Sequence, residues 1–149
     1  MEPRLDYTST NPEVLQMMLK FEEFTRNSGI DHTLYELIKI RASQINGCAF
    51  CIDMHAKDLL QTGESLERIV LLTAWRDTPI YTDKEKAALE LTEYVTKVSE
   101  AGVPQHVYEK VRAHFDEKEY VKLIMAINVI NCWNRISIST GMYPGCFVR

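Results

Sequence analysis

The chain has 149 residues, a formal net charge of −4 and 46% hydrophobic residues, a size that suits one ordinary domain over residues 1–149. Acidic and basic residues are interspersed and no Lys/Arg run stands out, so the composition excludes a basic nucleic-acid groove and a surface built for anionic membranes. We therefore expect small molecules or proteins as partners.

The first half of the chain predicts three helices after a polar lead-in over residues 1–10. The first runs over about residues 12–27, the second ends at Gly47, and the third covers about residues 48–61. The expected N-caps are Asn11 for the first helix and Asp31 or Thr33 for the second. The predicted inward rows are Val14, Met17/Met18, Phe21 and Phe24, then Leu34, Leu37/Ile38, Ala42 and Ile45, then Cys48, Cys51/Ile52, His55 and Leu59.

The second half predicts four more helices. Ser65 caps a fourth over residues 66–76, with Leu66, Ile69/Val70, Thr73 and Trp75 facing inward. Capping boxes at Thr82/Glu85 and Asp116/Glu119 open a fifth helix, which runs to about Ala101 with Val98 inside, and a seventh, which runs to about Thr140; a short sixth helix starts at Pro104. No segment alternates with period two, so the sequence predicts an all-α single domain of about six to seven helices.

Two cysteines and a histidine stand together at the start of the third helix. Cys48, Cys51 and His55 occupy positions i, i+3 and i+7, which share one helical face. Gly47 can close the preceding helix, so Cys48 falls where unpaired N–H groups and the helix dipole favour a thiolate. This placement lowers a cysteine pKa and makes Cys48 the more acidic and more accessible thiol by position alone.

Several chemistries fit such a group. A Cys-x-x-Cys pair at a helix start supplies a nucleophile and a second thiol that closes a disulfide onto it. Zinc is the competing chemistry, with Cys48, Cys51 and His55 as ligands and Cys132 or Cys146 as a fourth. A thioredoxin-like arrangement is disfavoured because no strand precedes the motif.

The N-terminal sequence and the number of cysteines bear on the cellular compartment. The N-terminal residues contain no apolar run of signal-peptide length, and no later run approaches a membrane span, so we expect a cytoplasmic protein. In that reducing compartment, Cys132 and Cys146 are expected to be plain buried thiols. The polar row Asn128, Asn131 and Arg135 predicts either a buried polar network, an interface or a bond to Glu36.

The order Glu36, Cys48, Cys51, His55 within ELIKIRASQINGCAFCIDMH resembles the signature of the alkyl hydroperoxidase D-like (AhpD-like) members of the carboxymuconolactone decarboxylase superfamily. The later segment INVINCWNRISI resembles that family's last core helix. The resemblance implies an all-α fold that assembles as trimers or hexamers and reduces peroxides. It implies that Cys51 attacks the peroxide, that Cys48 resolves the sulfenic acid as a disulfide, and that His55, with Glu36 behind it through a water, takes the proton from Cys51.

One position departs from that pattern. The peroxidase prototype carries a histidine just before its second cysteine, where this chain has Phe50, which neither takes nor delivers a proton. Together with the cysteine pair, the resemblance implies a thiol-dependent peroxidase without cofactor or bound metal, which uses an external dithiol and forms a homo-oligomer. Two alternatives stay open: a thiol-disulfide sensor or partner reductant without efficient turnover, and a structural helical oligomer whose cysteines bind metal.

Overall fold

The computed structural model describes residues 1–147, and within them every regular element is helical, which confirms the predicted all-α class. Nine α-helices and one 3₁₀ segment follow one another in this range. They are α1 (Tyr7–Thr10), α2 (Pro12–Arg26), α3 (His32–Asn46), α4 (Ala49–Gln61), α5 (Leu66–Val70), the 3₁₀ segment Leu71–Asp77, α6 (Asp83–Thr96), α7 (Val98–Ala101), α8 (Gln105–Arg112) and α9 (Glu117–Thr140).

Helix α3 lies at the centre of the molecule and packs against α4, α6 and α9. Leu37, Ile38 and Ile40 are fully buried on different sides of it, as expected for a helix surrounded by others. Polar side chains of the same helix are buried as well, Glu36 and Lys39 among them. Burial of such groups is costly unless each has a partner, so α3 must receive polar contacts from its neighbours.

The predicted helix ends agree with the structure where the capping chemistry is specific. Both capping boxes are present, at the starts of α6 and α9. The Asp31 side chain accepts from the Leu34 N–H at the start of α3, and Gly47 closes that helix at φ 72°, a left-handed conformation that favours glycine. Asn11 stands at the N-cap of α2, but its side chain makes no capping hydrogen bond.

Three helix boundaries differ from the prediction. The lead-in contains α1, which the Asp6 side chain caps by accepting from Thr8 and Ser9 N–H groups. The fourth predicted helix turns into the 3₁₀ segment after Val70, because the kink at Ala74 (φ −115°, ψ 29°) lets buried Trp75 donate to Glu93 across 2.9 Å. The fifth predicted helix ends at Thr96, and the separate α7 follows.

The predicted inward face of α2 is right at Met18, which is buried, and wrong at three other positions. Phe24 and Met17 are 67% and 66% exposed, and Val14 is also exposed. The helix buries Glu22 and Thr25 beside Met18, because these polar groups bond to Lys39 and Tyr35 of α3. Four other residues predicted to face inward are exposed: Leu66, Val70, Thr73 and Val98. Within residues 1–147, no helix is both long enough and apolar enough to cross a membrane.

Candidate active site

The tight connection between α3 and α4 places both cysteines at one helix start. Gly47 ends α3, and the N–H of Cys48 donates to the Ser43 carbonyl across 2.9 Å. Cys48 is then the N-cap of α4 in extended backbone, and Cys51 lies in the first turn. As predicted, Cys48, Cys51 and His55 are all buried on one face. Both thiols are free.

The two thiols differ in acidity. A hydrogen bond from the Cys51 thiol, which outweighs burial, lowers the pKa of Cys48 to about 7. The same hydrogen bond, together with burial, raises the pKa of Cys51. The Cys51 thiol also lies within donating distance of Ser137 Oγ, at 3.7 Å. The lowered pKa favours the thiolate of Cys48, whereas Cys51, whose pKa is raised, needs a base to lose its proton.

The expectation that Cys48 is the more acidic thiol agrees with this arrangement, but the difference in accessibility that was expected between the two thiols is negligible, because both are buried. Cys48 and Cys51 are 2% and 1% exposed. They pack in one cluster with buried Ala42 and Ile130, and half-buried Phe50 and Trp133 lie against that cluster. Because α9 covers the start of α4, a helix terminus that would face water in isolation lies inside the molecule here.

His55 and Glu36 form a buried pair between α4 and α3. His55 Nδ1 lies 2.9 Å from Glu36 Oε2, and the two side chains are 6% and 4% exposed. The contact is direct, so the water that the family resemblance implied between them has no room. A carboxylate only accepts, so Nδ1 carries the hydrogen and Nε2 holds the free lone pair. Among residues 1–147, this buried Nε2 has no hydrogen-bond partner.

A second carboxylate faces the same ring. Asp58 Oδ2 lies 4.0 Å from His55 Nδ1, and the Asp58 side chain is 53% exposed. In the part of the chain that the structure describes, Glu36, His55 and Asp58 are the one group of three possible metal-ligating side chains whose ligand atoms converge, within 4.8 Å. Neither Cys48 nor Cys51 belongs to it, so the zinc set considered from the sequence is not assembled.

A row of polar side chains on α9 closes the site from the opposite side. Its members differ in part from the residues predicted for it. Asn134 Nδ2 donates to Ser43 Oγ across 2.9 Å, while Asn46 Nδ2 donates to both Asn131 and Asn134 at 2.9 Å. Asn131 also donates to Thr96, not to Glu36. The predicted row is wrong at Asn128 and Arg135, which are exposed; the buried row is Asn131, Asn134 and Ser137. Their i, i+3, i+6 spacing in an apolar helix was the available signal.

A buried ion pair lies beside the site and was missed from the sequence. The Lys39 ammonium is fully buried against the Glu22 carboxylate of α2 and 4.3 Å from the Tyr35 ring. Trp133 Nε1 donates to the other Glu22 oxygen across 3.3 Å. Burial lowers the pKa of Lys39 to about 7, although the nearby charges of Asp58 and Cys51 raise it in part. Lys39 is therefore within electrostatic reach of the thiols.

Comparison with known proteins places these residues in a family. The model described as "Carboxymuconolactone decarboxylase family" matches residues 12–94. The uncharacterised protein YdfG of Bacillus subtilis is 49% identical over 141 residues, which span 95% of this chain and 96% of that protein. A shorter stretch of 43 residues is 49% identical to the alkyl hydroperoxide reductase AhpD of Rhodopseudomonas palustris, covering 29% of this chain and 24% of that protein.

Solved structures also resemble this chain. ATU0492 of Agrobacterium tumefaciens, a protein of unknown function that carries the AhpD name, has a TM-score of 0.93 at 42% identity, over 96% of this chain and 99% of that one. The debrominase Bmp8, at 15% identity and a TM-score of 0.82 over 92% of this chain and 74% of that one, shares the fold alone. Because the family model covers more than half of the sequence and YdfG is similar almost throughout, the chain belongs to the carboxymuconolactone decarboxylase family and has an AhpD-like fold.

Proposed function

We propose that this protein is a thiol-dependent peroxidase of the alkyl hydroperoxide reductase type, in which Cys51 and Cys48 react in turn and Glu36 and His55 relay the proton. The observation that carries the proposal is the pairing of two thiols of unequal acidity with a buried histidine one helical turn away. That histidine is held through Nδ1 by a carboxylate and keeps Nε2 free. A packed core histidine would ordinarily have both nitrogens satisfied.

The first step is attack on the peroxide. His55 Nε2 takes the proton of the Cys51 thiol, and the thiolate attacks one peroxide oxygen. An S–O bond forms as the O–O bond breaks, the leaving oxygen takes the proton back from the imidazolium as an alcohol or water, and Cys51 becomes a sulfenic acid. Glu36 stabilises the imidazolium that exists between the two proton transfers.

The second step closes the disulfide. Cys48 is the thiol whose pKa is lowered, which favours its thiolate. It attacks the Cys51 sulfur, the S–S bond forms, and hydroxide leaves and is protonated to water. A low pKa suits the resolving role because the nucleophile must be ready when the sulfenic acid appears. An external dithiol then reduces the disulfide and is itself oxidised.

The setting of the site bears on its reductant and assembly. Both sulfurs are buried, so a slender dithiol or a redox protein with a projecting thiol pair fits better than a bulky monothiol. Met17 and Phe24 leave an apolar stripe on α2 open, and we propose that it packs against other copies of the chain in a homo-oligomer, trimer or hexamer. All four cysteines are free, which suits a reducing compartment, and we propose the cytoplasm.

Peroxide titration of the reduced protein tests the proposal. Two thiols should be lost per chain, in one intramolecular Cys48–Cys51 disulfide, and steady-state consumption should follow when a dithiol is added. The double variant C132S/C146S is the control and should behave as the wild type. A dominant disulfide through Cys132 or Cys146 would refute the proposal.

Phe50 supports a second candidate, a thiol-disulfide sensor. It stacks edge-to-face with Phe147 at 6.4 Å where the prototype has a proton-carrying histidine, so His55 alone must serve the leaving oxygen. Stoichiometric disulfide formation without turnover would favour that role. Substitution F50H separates the two, because it should raise turnover only if proton delivery limits a working peroxidase.

A further inference from the structure

The His55 ring faces two carboxylates of opposite character. Its Nδ1 lies 2.9 Å from Glu36, which is sealed in the core, and 4.0 Å from Asp58, whose side chain is 53% exposed. Asp58 follows His55 by three residues on α4, so the two side chains lie on the same face of one helix. The ring therefore has a buried partner on one side and an open one on the other.

A buried imidazolium needs a compensating negative charge. The His55 imidazolium forms between the two proton transfers, and neither His55 nor Glu36 is appreciably exposed. Lys39, another ionisable group of α3, is fully buried and paired with Glu22. Of the charged side chains in contact with the ring, Asp58 alone reaches solvent to a large extent.

The geometry points to Asp58 as a positioning residue of the relay: its carboxylate, 4.0 Å from Nδ1, stabilises the His55 imidazolium from the solvent side. This inference rests on the proposed function, because it assigns Asp58 a part in the same proton transfer. The reach of the Asp58 charge into the core supports it, since that charge raises the pKa of Lys39 against the lowering effect of burial.

Other groups also set the charge around His55. Helix α4 packs most extensively against α3, which brings Glu36 and Lys39, and against α9, whose Ser137 hydroxyl lies 3.7 Å from the Cys51 thiol and does not titrate in this range. Leu59 of α4 also joins a core cluster that contains the buried phenol of Tyr81. On α4 itself the thiols of Cys48 and Cys51 titrate. Tyr7 of α1 also titrates near the thiols. Its phenol is half-buried, and burial, the charge of Asp6 and the charge of Cys51 raise the pKa of Tyr7. None of these groups changes when Asp58 is replaced, so a matched pair of variants isolates its effect.

The test compares D58N with D53N in the full-length protein. Asp53 lies on the same helix, but its carboxylate bonds the Lys57 ammonium across 2.7 Å, so D53N removes the same charge without touching His55. In the reduced protein, NMR of the histidine rings is followed across pH 4 to 9, with H55Q to assign the His55 signals. D58N should move the His55 midpoint to lower pH by about half a unit to one unit, and D53N should leave it in place.

The second readout is the rate of Cys48–Cys51 disulfide formation by hydrogen peroxide at pH 7. A weaker base holds fewer thiolate–imidazolium pairs, so D58N should be about 3- to 10-fold slower than the wild type and D53N should match it. Coincident midpoints for D58N and D53N would overturn the inference, and so would a shifted midpoint with an unchanged rate.

The two readouts also separate this inference from the proposed function. If the wild type does not react with peroxide, the proposed function fails, and the NMR midpoints still decide whether Asp58 acts on His55. If the wild type reacts and D58N behaves as D53N does, only the role of Asp58 is lost.

Discussion

Replacing His55 separates a built active site from an accidental pair of cysteines. If His55 is the base for Cys51, H55A should slow oxidation by peroxide by roughly 10²- to 10⁴-fold, the usual contribution of a positioned general base. E36Q should cost less. A buried hydrogen bond to a charged group, such as the 2.9 Å contact between Glu36 and His55, contributes about 1.5–3 kcal/mol, or about 10- to 150-fold, and Gln keeps part of it.

The pH dependence has a defined sign. In the wild type, the rate should rise with pH, because only the neutral imidazole can take the Cys51 proton. Without the base, Cys51 must ionise on its own, and because burial and the shared hydrogen bond raise the pKa of Cys51, the H55A rate should rise only in strongly alkaline solution.

Stopped-flow oxidation across pH 5 to 10 measures both profiles. His114 is exposed and makes no contact with the site residues described above, so H114A is the matched control and should follow the wild type. H55Q keeps more of the side-chain volume and can still bond Glu36. A slow rate in H55Q as well as in H55A would therefore not be explained by a folding defect around an unpaired Glu36. If the profiles of the wild type, H55A and H55Q coincide, His55 is a packed core residue and the relay does not operate.

Three further predictions concern the thiols, the buried ion pair and the assembly. With C48S, peroxide should leave a trapped sulfenic acid on Cys51, detected by a dimedone adduct in mass spectrometry; an adduct on Cys48 in C51S with none in C48S would reverse the two roles. K39M should lower the free energy of unfolding by about 3–5 kcal/mol in denaturant titrations because it leaves Glu22 buried without its cation, and K39M/E22Q should recover part of that loss. M17E/F24E should shift the oligomer toward monomer in light scattering, whereas V121E, which alters an exposed valine on α9, should not; a wild-type monomer at micromolar concentration would contradict the oligomer proposal.

Local chemistry explains which parts of the fold the sequence predicted. Capping boxes and the glycine after α3 are short-range signals, and the helix ends that they mark agree with the structure. The prediction of the buried face of α2 failed at Val14, Met17 and Phe24, because hydrophobic periodicity assumes that apolar residues are the buried ones. There Glu22 and Thr25 are buried instead, since their partners lie on α3, at distances along the chain that periodicity does not see.

The candidate site was likewise predictable from the sequence only where its residues are close together along the chain. The spacing of Cys48, Cys51 and His55 along one helix was readable, and so was their shared face. The burial of both thiols was not, because it depends on α9, which packs over the start of α4 from some 80 residues further along the chain. Asp58 carries no sequence signal at all, since an exposed aspartate on a helix is ordinary until the ring of His55 is placed beside it.

Helix α3 explains why these distant contacts belong to one arrangement. Its buried polar residues Glu36, Lys39 and Ser43 follow at i, i+3 and i+7 on one face, and each takes its partner from a different helix. Those partners are His55 on α4, Glu22 on α2 and Asn134 on α9. Each partner offsets the desolvation of one α3 group, so an error in the placement of any of the three helices would leave a buried polar atom unpaired. The polar contacts that orient the base therefore also fix the positions of the helices that carry and cover the thiols.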